Sequence, residues 1–76
     1  MKYKVVTGNG VAVSQHSTLF RARCSAAQRL RQWRAYTSIH SGSYGYEIAI
    51  VIDGNWYPCT LSGPGTANVH VAGIDD

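Results

Sequence analysis

The stretch YEIAIVIDGNWYPCTL, residues 46–61, decides the fold. Asp53-Gly54 sits between two β-prone runs, a pattern that favours a two-residue type I′ hairpin. A turn of that length pairs Ile52 with Asn55, Ile50 with Tyr57, Ile48 with Cys59 and Tyr46 with Leu61. Side chains alternate along a strand, so all four pairs share one face. That face is almost wholly apolar and built to be buried. The other carries Glu47, Ala49 and Val51 against Trp56, Pro58 and Thr60. Ile52–Asn55 is a hydrogen-bonded pair, which makes Ala49–Pro58 a non-bonded one. The absent N–H of Pro58 then points away from the Tyr46–Ile52 strand. The Pro58 strand is therefore expected to lie at the sheet edge, or to act locally as one.

Upstream, Val5-Val6-Thr7 and Val11-Ala12-Val13 flank Gly8-Asn9-Gly10 and read as a first hairpin. A two-residue Asn9-Gly10 turn would set Val6 beside Val13 but leave Lys4 on the same face. A three-residue loop with Gly10 left-handed pairs Thr7 with Val11 and Val5 with Val13. It gathers Tyr3, Val5, Val11 and Val13 on one side and Lys2, Lys4, Ser14 and His16 on the other. Burial of one face favours this second register.

Between the hairpins the pattern predicts a helix over residues 18–36. Ser17 or Thr18 supplies the N-cap. At 100° per residue, Leu19, Ala22, Ala26, Leu30 and Trp33 form one apolar stripe, widened by Phe20 and Ala27. Alanines at its centre allow close approach to a sheet. Residues 37–45, rich in Ser and Gly, read as a loop holding Tyr44. Residues 62–66 read as another. A short strand over residues 67–72 should turn Val69 and Val71 inward and His70 outward. Ile74-Asp75-Asp76 is expected to fray. The order ββ-α-ββ(β) gives a two-layer α+β fold: one antiparallel β-sheet of four or five strands packed on one α-helix.

The 76 residues suffice for a single domain, residues 1–76. Charged residues make up 14% of the chain against a typical ~25%, which argues against disorder. No apolar run approaches the ~20 residues of a membrane span, and no signal-peptide pattern follows Met1. The expected compartment is the cytoplasm. Cys24 and Cys59 belong to no CxxC or CxxH pair and read as two small buried hydrophobes, with a single disulfide between them as the alternative.

Catalysis has few candidates. Asp53 serves a turn, Asp75 and Asp76 lie in the tail, and Glu47 is the sole acid on a regular element. His16, His40 and His70 show no metal-ligand spacing. Gly63-Pro64-Gly65-Thr66 lacks the Lys-Ser/Thr ending of a phosphate loop. No catalytic, metal or cofactor site is expected, and the chain reads as a non-enzyme.

Charge placement is more informative. Five of the seven basic residues are arginines on the helix, and no acid precedes Glu47. The first 46 residues carry +7 and the last 30 carry −4. The wheel sets Arg23 and Arg34 along the border of the apolar stripe and turns Arg21, Arg29 and Arg31 toward the sides and solvent. Arginine suits bidentate binding of carboxylate or phosphate; the competing reading is a solvated helix face. Tyr36 and Tyr44, with Trp56 on the outer face of the second hairpin, add aromatic exposure. The partner-binding set is therefore Arg21, Arg29, Arg31, Arg34, Tyr36, Tyr44 and Trp56, since Arg, Tyr and Trp dominate interface hot spots.

In length and strand–helix–strand order the chain resembles the small orphan proteins of phages and mobile elements, notably the anti-CRISPR proteins. The resemblance covers size and architecture only, so no residue role is carried over. It implies a stoichiometric inhibitor or adaptor docking on a host protein or a protein–nucleic acid complex, without a membrane. An arginine-rich helix argues against DNA mimicry. The alternative is a nucleic-acid-binding module using that helix. An exposed edge strand or sheet face would equally serve a homodimer.

Overall fold

Asp53 and Gly54 both adopt positive φ, 52° and 84°, the backbone of a type I′ turn. The hairpin around them has the register that this turn demands: Ile52 opposite Asn55, Ile50 opposite Tyr57 and Ile48 opposite Cys59. The computed structural model describes residues 2–40, 48–62 and 68–76, with residues 33–40 described as backbone only. The expected Tyr46–Leu61 pair and the residue 62–66 loop beyond Ser62 lie outside the described residues, as do Tyr44 and Glu47.

The elements are β1 (Tyr3–Thr7), β2 (Ala12–His16), α1 (Leu19–His40), β3 (Ile48–Ile52), β4 (Asn55–Leu61) and β5 (Val69–Val71). The strands form one antiparallel sheet in the order β2-β1-β3-β4-β5. The helix packs on one face, giving the expected two-layer α+β fold. Among the described residues no helix is long and apolar enough to cross a membrane.

The core lies between α1 and the sheet. Ala22, Ala26 and Ala27 meet Val5, Ile48, Ile50, Cys59, Val69 and Val71, all buried. Leu19, Leu30, Tyr57, Leu61 and Ile74 close its margins. Thr18 caps the helix: its Oγ1 accepts from the Arg21 N–H at 3.2 Å. The helix runs to His40 rather than Tyr36, so residues 37–40 are helical, not loop. Thr and Ser disfavour a helix interior by only a few tenths of a kcal/mol, and each added residue brings one more backbone hydrogen bond.

Phe20 does not widen the buried stripe; it is 59% exposed. It lies one position, about 100°, beyond Leu19, past the margin of the sheet.

The first hairpin has the expected three-residue loop, with Gly10 at φ 85° and the Thr7 N–H donating to Val11 O at 2.9 Å. Its strands then depart from expectation. The register shifts between Val5 and Val6, so Val5 pairs with Ser14, not Val13, and Tyr3 pairs with His16. The extra residue of this β-bulge moves Ser14 and His16 onto the helix face. There the Ser14 hydroxyl is hydrogen-bonded to Ser25 Oγ at 2.8 Å and to His16 Nε2 at 2.9 Å. A polar partner on the helix makes the shifted register acceptable. Val11 is left 60% exposed.

Pro58 sits on an interior strand, yet it ends a ladder as an edge residue would. β5 pairs with Cys59, Thr60 and Leu61. One position further, the Ala72 N–H donates to Pro58 O at 2.9 Å, and proline has no N–H to return.

The alanine stripe sets the helix–sheet distance. Ala26→Leu should lower stability by about 1–3 kcal/mol, because extra methylenes in a closed core force strain. A fall in the urea midpoint at unchanged slope would register it.

Candidate functional site

An open groove of roughly 840 Å³ runs along the outward side of α1. Its described lining is Phe20, Arg21, Cys24, Ser25, Gln28, Arg31 and Gln32 from the helix and His16 from β2. Residues 21, 24, 28, 31 and 32 recur at helical spacing and line one side of three turns. Ser25 anchors that side to β2 through Ser14. Arg21 is exposed, and its guanidinium has no partner among the described residues. Arg31 is half-buried in the groove wall. No acid belongs to the described lining. The surface therefore joins an aromatic ring, amide donors and positive charge.

Two of the expected partner-binding residues, Arg21 and Arg31, meet in this groove. Arg29 does not line it and is half-buried. Seven residues after Ala22, it returns to nearly the same side of the helix, the core side. The side chains of Arg34 and Tyr36, and the whole of Tyr44, lie outside the described residues.

Trp56 is 49% exposed but belongs to the other layer. It pairs with Val51, which pairs with Lys4, on the sheet face turned away from α1. Ala49 and Val6, neighbours on that face, are buried. Trp56 and the arginine groove are separate surfaces.

Arg23 is fully engaged. Its guanidinium makes a bidentate pair with the Asp75 carboxylate, with Nη1 at 2.8 Å from Oδ2 and Nη2 on Oδ1. Nη1 also donates to Val69 O at 3.3 Å. Asp75 Oδ2 accepts the Val71 N–H at 2.8 Å. The Ile74 and Asp75 N–H groups both donate to Val71 O. Asp76 accepts from Gly73 N–H at 3.1 Å and lies 2.6 Å from His70 Nε2. The tail is thus folded against β5 rather than frayed. Gly73 makes the fold-back possible: its φ is 89°, and a Cβ there would meet the Tyr57 ring at 3.1 Å. The clue in the sequence is Gly73, two residues before the Asp75-Asp76 pair, in a chain whose lysines and arginines all lie upstream.

Cys24 and Cys59 are both free thiols. Cys59 is buried, its Sγ 3.5 Å from Tyr57 O, and burial pushes its pKa up to about 11. His70 faces away from it, on the side of β5 opposite Val69 and Val71, so the two form no dyad. Among the described residues no three of His, Cys, Asp and Glu gather to hold a metal ion.

Neither a protein-family model, a curated protein nor a solved structure matches the chain.

Two outcomes follow from this chemistry. The Arg23 guanidinium, helped by the Val71 N–H, holds the Asp75 carboxyl down at about 2. An unfolded aspartate titrates near ~3.9. The folded value is depressed, so its stabilisation is full above about pH 4 and is lost as pH falls through about 2. Asp75→Asn should be less stable than the parent at neutral pH, and the two urea midpoints should converge near pH 2. Second, iodoacetamide on the native protein at pH 8 should label half-buried Cys24 well before Cys59. Mass spectrometry of the digested protein reads the order.

Proposed function

We propose that the chain is a small binding module, a stoichiometric inhibitor or adaptor of the anti-CRISPR kind. It docks through the outer groove of α1 on an acidic surface of a host protein or protein–nucleic acid complex. The observation carrying this reading is the groove itself: exposed Phe20 beside an unengaged Arg21, with no acid in the described lining. A partly apolar, positively charged hollow suits a partner that presents carboxylates around an apolar contact.

The arrangement favours a protein carboxylate over a nucleic-acid backbone. Non-specific binding to duplex DNA grows with the number of phosphates neutralised. The arginines of α1 do not act as one stripe. Arg23 is held by Asp75 and Arg29 turns toward the core side. Arg21, Arg31 and His16 are the basic residues of the described lining, and His16 is already bonded to Ser14.

Affinity capture from a lysate of the source cells, with and without nuclease, tests the reading. A defined protein should remain after nuclease treatment, at one-to-one stoichiometry by native mass spectrometry. Arg21→Glu and Phe20→Ala should each weaken its capture at least about tenfold, equivalent to ~1.4 kcal/mol. Both sites are exposed, so folding should be unchanged. A partner that vanishes with nuclease would favour the nucleic-acid reading instead.

A further inference from the structure

The two edges of the sheet are treated differently. At β5 three outward backbone groups are occupied: Val69 O by Arg23, Val71 N–H by Asp75, and Val71 O by the N–H groups of Ile74 and Asp75. This edge is closed against pairing. At β2 no strand pairs with the outer side among the described residues. Apart from the bulge opposite Val5 and Val6, β2 has little to blunt it, since Ala12–His16 contains no Lys, Arg, Asp, Glu or Pro.

The register says which groups point outward. Ile52–Asn55 closes a two-residue turn and is hydrogen-bonded, so Ile52 directs its N–H and C=O to β4. Val51 then directs its own to β1, where it meets Lys4. Lys4 is thereby turned from β2, and its β2 partner Gln15 forms a non-bonded pair. The Gln15 N–H and C=O must point outward, free to pair with an added strand. The Thr7 N–H bond to Val11 O fits the same alternation.

A strand added there would turn its residues opposite Ser14 and His16 toward the helix layer, because those two face it. They would approach the side of α1 that shares the groove lining with His16 and carries Arg21 and Gln28. A carboxylate at these positions would complement the Arg21 guanidinium. We propose that an extended acidic segment of a partner protein adds to β2 as a sixth strand, with acidic side chains at alternate positions on the Arg21 side. This deepens the proposed function and rests on it. A second copy fits the edge less well: antiparallel pairing through β2 would set the Arg21 faces of both copies together, like charge against like.

The probe is an acetylated and amidated nine-residue peptide alternating glutamate with threonine, titrated into isotopically labelled protein and followed by NMR. Saturable shifts should concentrate on residues 12–16 and on the Arg21 side of α1. The same peptide with lysine for glutamate should not bind. Gln15→Pro removes an outward N–H without touching the β1 ladder, a position where proline is tolerated. It should weaken peptide binding at least about tenfold, while Gln15→Ala stays within about twofold. In the parent protein, saturating peptide should also slow hydrogen exchange of the Gln15 amide at least about tenfold and leave Lys4 little changed. That readout stands even if the proline variant folds poorly.

Binding that survives Gln15→Pro but falls with Arg21→Glu would overturn strand addition and leave the groove reading intact. Equal binding of the lysine peptide, or no binding at all, would overturn the proposal. So would a dimer of the free protein that Gln15→Pro dissociates, because the edge would then serve a second copy.

Discussion

The two-residue turn at Asp53-Gly54 sets the phase of the whole sheet. A loop of that length admits one pairing of β3 with β4, and a ladder alternates strictly from its first pair. The same phase passes through Val51 and Lys4 to Gln15 on one side, and through Pro58 and Ala72 to Val71 on the other. It decides which side chains enter the core and which backbone groups are left at the rims. One more residue in the turn would exchange the two faces of β4. It would bring Trp56 and Thr60 against the helix and turn Cys59 outward.

The alanine stripe complements that phase. With Ala22, Ala26 and Ala27 at the contact, α1 lies close over the sheet, and its long side chains are confined to its flanks. Each flank has its own chemistry. On the β5 side Arg23 is spent on Asp75 and on the backbone of β5. On the β2 side Arg21 is unengaged above a hollow that Phe20 borders. One helix thus seals one rim of the sheet and leaves the other available. The uneven charge along the chain, positive first and negative later, becomes in space a neutralised end and a basic end.

What could be read from sequence was local. The Asp-Gly turn, the Thr18 cap, the alanine stripe and the inward Val69 and Val71 each rest on residues a few positions apart. What could not be read was pairing at long range. The bulge opposite Val5 and Val6 depends on Ser25 offering a hydroxyl to Ser14, and no periodicity in β2 announces that. The tail looked free because its partner Arg23 is 52 residues away. Arg29 was legible, since seven residues after Ala22 its angle returns it to the core side, away from the groove that Arg21 and Arg31 line. Of the expected interface residues, Arg21 and Arg31 come together, while Trp56 belongs to the far face of the sheet.

That separation of 52 residues also bears on the order of assembly. Contacts between distant parts of a chain form after local ones, since closing a long loop costs entropy before any contact rewards it. The hairpins and the helix can organise early, whereas the Arg23–Asp75 clasp needs both ends of the domain in place. Until it closes, the β5 rim lacks the partners that Arg23 and Asp75 supply. The clasp therefore covers that edge only once the whole domain has come together.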